Sequence, residues 1–264
     1  LGDEEREHFV ALMRKLEAFL GLRVVTYAVM SNHFHLLVEE PDRSELPPLD
    51  RDTLIERLGY LYSRFTVDTV REELDRAAAR GDQQWEQQIL DRYRKRMGDV
   101  SIFMKELKQR FSSWYNRRKG RKGTLWEERY KSLLVEGDEK TLMTMAAYID
   151  LNPFRAGMVD RVEDYRWCGY ASAVAGNQWA RRGLGRILRN SPHLSGEGFE
   201  ENWKATASLY RLWLYDQGEE RELSGKETPE NRTRRGFTRE EVEKEEASGG
   251  KLPLRRVVHR RVRY

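Results

Sequence analysis

Cysteine is almost absent from this chain: Cys168 stands alone among 264 residues. A single thiol excludes a disulfide framework and a cysteine-rich zinc site, and it suits a reducing cytoplasm. No apolar run approaches the ~20 residues that a membrane helix needs, and no secretory leader pattern opens the sequence. Internal repeats are also lacking. Only five histidines occur, so any two that fall close together stand out. The expectation from these absences is a soluble cytoplasmic protein, with no membrane partner.

What is abundant is charge. Charged residues make up 35% of the chain and hydrophobic residues 39%, with a mean hydropathy of −0.82. A sizeable share is therefore expected as solvated helix or tail outside the core. The net charge is only +4, from 48 basic and 44 acidic residues. Its layout matters more than its sum, because segregated charge is what a polyanion feels.

Along the chain, Asp3 opens a helix with Phe9, Leu12, Leu16 and Phe19 at helical spacing, closed by Gly21. "LRVVTYAVM" and "HFHLLVEE" read as strands joined across Ser31-Asn32, an antiparallel hairpin. The stretch "PDRSELPPLDRD" marks a surface loop leading into polar helices, a helical insertion over 42–100. An amphipathic helix, "SIFMKELKQRFSSWYNRR", follows. "RYKSLLVE" then reads as a further strand, and Asp138 caps a helix that Pro153 is expected to stop. The order is α+β, built on an antiparallel sheet. Residues 176–218 read as a helical extension with Trp203, Leu209, Leu212 and Trp213 available for packing, and 219–264 as a flexible basic tail.

Three features carry chemistry. In "MSNHFHLLVEE", His33 and His35 are two apart in a strand, so both imidazoles share one face while Phe34 and Leu36 turn to the other, towards the core. Such a pair can hold one divalent cation, or can be two polar residues on a solvated sheet face. In "AAYIDLNP", Tyr148 and Asn152 lie four apart on a helix and share a face, although each has an ordinary reading as packing residue and helix stop. From Lys105 to Lys131 ten basic residues face three acidic ones: Lys105, Lys108, Arg110, Arg117, Arg118, Lys119, Arg121, Lys122, Arg129 and Lys131. Phe111, Trp114, Tyr115, Trp126 and Tyr130 are interleaved with them, a pattern suited to unpaired bases and phosphates as well as to a solvated face.

"SNHFHLLVEEP", "FSSWYNRRKGRKGTLWEERYKSLLVE", "AAYIDLNPFRAGMV" and "DYRWCGYASA" occur in this order. The set resembles the REP-associated tyrosine transposases, bacterial members of the HUH superfamily of single-strand transposases with one catalytic tyrosine. The likeness covers most of 1–175 apart from the insertion. It implies a ferredoxin-like antiparallel sheet with helices on one face, acting in the cytoplasm at the nucleoid. It implies His33 and His35 as metal ligands, Asn152 as the third, Tyr148 as nucleophile, and Mg or Mn as the cation. The implied activity is cleavage and rejoining of single-stranded DNA at hairpin-forming palindromic repeats through a 5'-phosphotyrosine. Lys105, Lys108, Arg110, Arg117, Arg118, Arg121, Lys122, Arg129 and Lys131, with Trp126, would hold that DNA.

Two imidazoles suit Zn, Ni or Cu better than Mg, so the family's metal and the ligand chemistry pull apart. Two departures from the family are visible: the chain starts already inside the first helix, where the family places a strand upstream, and the insertion is longer than in compact members. A hairpin DNA- or RNA-binding protein that no longer cuts is the alternative from another class. Oligomeric state, monomer or homodimer, is open at this level.

Overall fold

A computed structural model describes residues 1–44, 46–188, 203–220 and 235–251. Among these the fold is mixed α+β, with a two-stranded antiparallel sheet and ten α-helices. They divide into two compact units, one made of 2–23 and 38–131, the other of Leu1, 24–37 and the described residues from 132 onward.

The first unit is helical. Helix α1 (Asp3–Leu20) buries Phe9, Met13, Leu16 and Leu20 at i, i+4, i+7 and i+11, and ends because Gly21 adopts φ 71°, where its N–H reaches the Glu17 carbonyl. Helices α2 (Arg51–Leu61), α3 (Arg64–Ala79), α4 (Gln83–Arg94) and α5 (Val100–Lys119) each start at an oxygen-bearing cap. Asp50, Ser63, Asp82 and Asp99 accept from the backbone N–H three residues on. The insertion does not stand apart from the rest: α2 packs on α1, and α1 on α5. Helices α1 and α5 thus share their core with the inserted helices.

The second unit holds the hairpin of β1 (Arg23–Val29) and β2 (Phe34–Glu39) apart from its end residues Arg23, Val38 and Glu39, helix α6 (Glu139–Arg155), a short 3-10 turn at Val162–Asp164, and α7 (Gly169–Val174), α8 (Gln178–Ile187), α9 (Trp203–Gly218) and α10 (Arg239–Ser248). From Val24 to Val29 every residue of β1 is buried. Its outer edge is met by Trp167 and Cys168, and Gly183 of α8 comes so close that an added Cβ would lie 2.4 Å from the Val25 carbonyl oxygen. Only glycine admits that approach.

Several expectations are corrected. "RYKSLLVE" is no strand: residues 129–136 lack regular structure, and among the described residues nothing hydrogen-bonds their backbone to another backbone group. Leu133 and Leu134 are 77% and 97% exposed. A strand needs a neighbouring ladder, and here none is supplied. Helix α6 continues two residues past Pro153, which a helix tolerates so close to its end because little ladder remains to break. Helix α9 buries Thr206, Ala207, Tyr210, Arg211, Leu214 and Gly218, leaving Trp203, Leu209, Leu212 and Trp213 half-buried. The buried stripe was hidden because a charged residue lies on it. Arg211 donates to Glu163 and to both oxygens of Glu245, fully pairing a guanidinium that is 3% exposed. Residues 239–248, read as part of a flexible basic tail, form α10, an acidic helix tied to α9 by Glu245 and by buried Val242. The basic stretch 252–264 lies outside the described residues.

Asp150 of α6 is fully buried and accepts from Thr26 Oγ1 at 2.9 Å, Tyr170 N at 3.1 Å and Tyr210 Oη at 2.7 Å. Burial pushes its pKa up to about 6 despite these donors, which favour the ionised form. The folded value lies above the unfolded one, so the folded state holds the proton more tightly. This stabilising contribution is complete below about pH 4 and is lost as pH rises through 6. Urea unfolding across pH 4 to 7 is expected to show a decline of about 3 kcal/mol from this group, obtained as wild type minus Asp150→Asn, in which the position cannot titrate.

Candidate active site

His33, His35, Tyr148 and Asn152 all belong to the second unit. The hairpin turn is closed by the Met30 N–H donating to the His33 carbonyl at 2.8 Å, which sets His33 just ahead of β2 and His35 within it. The two imidazoles meet edge to face with centroids 5.1 Å apart. The Tyr148 ring lies 5.9 Å from His35, again edge-on. Three rings separated by more than a hundred residues of sequence therefore line up in space.

The helix side of this row is set by an opposed pair of demands. Residue 150 lies about 200° around the helix from residue 148 at 3.6 residues per turn. Its carboxylate is anchored inward on β1, α7 and α9, so Tyr148 and Asn152 are turned outward. Tyr148 is 37% exposed, and its hydroxyl has no protein hydrogen-bond partner among the described residues. The Asn152 amide donates back to the Tyr148 carbonyl at 2.9 Å, leaving its Oδ1 unengaged among those residues.

His35 is half-buried, and its pKa is lowered first by burial and then by the charge of His33. That holds the ring in the neutral form, which is the form that ligates metals. His33 is exposed, and its Nδ1 is 2.8 Å from the Asn32 Oδ1. With Nδ1–H as donor, Nε2 carries the free lone pair. Among the described residues no cluster of three or more His, Cys, Asp or Glu gathers for a metal. A cation here would rest on two imidazoles, with an amide oxygen as the remaining candidate from the protein, and would stay open to water and substrate oxygens. Cys168 is buried, caps α7 and takes no part.

The expected face assignment of β2 needs correcting. Phe34 and Leu36 are only half-buried, and the one buried residue, Leu37, is on the histidine face. β1 fills the interior on both faces, so β2 is left as a partly covered outer strand.

The basic segment belongs to the first unit and is less bare than its composition suggests. Arg110 pairs with Glu106, Arg118 with Glu4, Lys119 with Glu5 and Lys131 with Glu128. Lys108 is half-buried, donates to the Glu128 carbonyl and covers the Trp126 ring. Lys105, Arg117, Lys122 and Arg129 have no anionic partner among the described residues, and Arg121 lies over Tyr115. Of the expected stacking rings, Phe111 is core, Trp114 stacks on His8 at 3.8 Å, and Trp126 is pinned by its indole N–H on the Lys108 carbonyl. Tyr130 is exposed, whereas Tyr115 is half-buried beneath Arg121.

Sequence reading passed over Asn32 and Asp150. Each had a local signal: an amide beside the first histidine, and a carboxylate inside an apolar helix between two polar residues on the other face. Compared with family models, curated proteins and solved structures, the chain matches none. Among the described residues no helix is long and apolar enough to cross a membrane.

In the metal-free protein the His35 imidazole is expected to titrate below 6.5, and its midpoint to rise in His33→Ala, where the neighbouring charge is gone. Ring-proton chemical shifts followed by NMR against pH check both.

Proposed function

We propose that this protein is a metal-dependent single-strand DNA endonuclease and strand transferase of the HUH kind, acting at hairpin-forming repeats through Tyr148. The observation that carries this reading is the approach of the Tyr148 ring to the His33–His35 pair, 5.9 Å from His35. The four motifs that resemble the REP-associated tyrosine transposases point the same way, and so would a ferredoxin-like sheet of which β1 and β2 are two strands.

The side chains present fit a divalent cation such as Mg or Mn, held by the imidazoles of His33 and His35 and the amide oxygen of Asn152. Nitrogen ligands favour Mn over Mg in such a set. When bound, the cation supplies charge neutralisation at the phosphate and lowers the cost of ionising a nearby phenol.

Tyr148 performs the covalent step. Its phenolic oxygen, exposed and unengaged, attacks phosphorus as the phenolic proton leaves to solvent. The bond from phosphorus to the 3' oxygen breaks and that oxygen takes up a proton, leaving a 3'-hydroxyl strand and a 5'-phosphotyrosine. One phosphodiester is exchanged for another, so a second 3'-hydroxyl can reverse the step and join a new strand without an external energy source. Asp150 holds α6 in the rotation that offers the phenol. Lys105, Arg117, Lys122 and Arg129, the unpaired cations of the basic segment, supply backbone contacts that position DNA without reading its sequence.

Incubation of a labelled hairpin oligonucleotide with Mn or Mg, followed by denaturing electrophoresis, is expected to give a covalent protein–DNA band that Tyr148→Phe abolishes. His33→Ala and His35→Ala should each reduce the band at least tenfold and weaken Mn binding in calorimetry. A wild-type protein that shifts the hairpin in native gels, yet gives no covalent band with any metal, would leave only the reading as a non-cleaving nucleic-acid binder.

A further inference from the structure

The helical insertion contains a feature that the Tyr148 site does not use. An open cleft of about 480 Å³ lies among α2, α3 and α4, lined by the rings of Tyr62, Phe65 and Tyr93 and by Arg92, Arg96 and Glu73. Phe65 is the second residue of α3 and is 82% exposed, with no ring partner among the described residues. Its face is open to a flat partner that stacks on it.

The other walls are fixed. Arg96 donates to the Tyr62 hydroxyl at 2.9 Å and is paired with Glu106, while Arg110 lies over the Tyr62 ring. Arg92 covers the Tyr93 ring and bridges to Glu73 at 2.8 Å, tying α4 to α3. The cleft is therefore preformed, with rigid rings at the back and one uncovered ring in front. Of the four cations in "RYRKR", Arg92 and Arg96 line the cleft, each already paired with a carboxylate, while Arg94 and Lys95 flank it outside the lining and have no anionic partner among the described residues.

Flat apolar surface, guanidinium groups with unused donors and adjacent free cations match a flat heteroaromatic ring joined to phosphate. We infer that this cleft binds an unpaired nucleotide of single-stranded nucleic acid, the base stacking on Phe65 and the backbone phosphate lying on the Arg92–Arg96 run. Glu73 accepts an exocyclic amino group of that base, which favours cytosine, adenine or guanine over thymine. The inference assigns a role to the insertion and is independent of cleavage at Tyr148.

The test uses the full chain in EDTA, so that strand cleavage does not enter, with fluorescein-labelled hairpin DNA carrying a short single-stranded tail and the same hairpin cut blunt. Fluorescence anisotropy is expected to show tighter binding to the tailed probe, an advantage that Phe65→Ala reduces about tenfold and Phe65→Trp retains. Arg94→Ala combined with Lys95→Ala should flatten the salt dependence of binding. Phe65 is exposed, so an unchanged thermal midpoint for its variants certifies the fold. A nucleoside monophosphate that competes at micromolar levels identifies free nucleotide as the source of the same chemistry; competition by the tail alone identifies the strand. Equal affinities of wild type and Phe65→Ala for the tailed probe overturn the inference. So does a Phe65→Ala variant that loses self-association in sedimentation while keeping its DNA affinity, because the cleft is then a protein-docking groove. The covalent-band assay on Tyr148 reads the catalytic proposal separately, so either can fail alone.

Discussion

The second unit depends on one buried carboxylate. Asp150 collects a hydroxyl from β1, a backbone N–H from α7 and a phenol from α9, joining three elements distant in sequence at a single point. A carboxyl group taken out of water is tolerated only when its lone pairs are filled. The same three bonds that satisfy it therefore fix the rotation of α6, and with it the outward direction of Tyr148 and Asn152. A neighbouring network, Arg211 with Glu163 and Glu245, does for α9 and α10 what Asp150 does for α6. Burial raises the pKa of Asp150 to about 6, whereas the Arg211 charge holds that of Glu163 below the usual carboxylate range. Carboxylates buried in one unit thus take opposite shifts according to whether a cation stands beside them.

The candidate site is built from two kinds of support. On the strand side, the imidazoles are held by a tight turn and by the Asn32 amide, which orders His33 without burying it. On the helix side, the polar residues are exposed because their neighbour is buried. In the first unit the same logic appears in reverse. Much of its positive charge is consumed by local ion pairs, and the cations left over mark where an external anion can be met at least desolvation cost.

Some helix boundaries were legible in the sequence because they are set by local chemistry: Gly21 ends α1 by adopting positive φ, and Asp138 caps α6. The caps at Asp50, Ser63, Asp82 and Asp99 use the same chemistry but divide a stretch that was read only as polar helices. The pairing of His33 with His35 follows from the two-residue period of a strand, and that of Tyr148 with Asn152 from the helical turn. The expected strand over 129–136 failed for the complementary reason. β-propensity describes what a segment does when another strand is beside it, and Leu133 and Leu134 have no such neighbour among the described residues. The stripe of α9 was misjudged because hydropathy treats arginine as surface, whereas Arg211 is buried by full pairing.

By itself, the sequence determined the local frames: which residues share a strand face, which share a helix face, where some helices are capped, and which stretch gathers positive charge. These depend on backbone periodicity and on contacts within a few residues. Tertiary structure alone decided that the histidine pair meets Tyr148, that Asp150 points inward, that α1 and α5 join the inserted helices, and which cations remain unpaired. Each of these rests on groups far apart in the chain competing for burial and for hydrogen-bond partners, and no local pattern encodes the outcome of that competition.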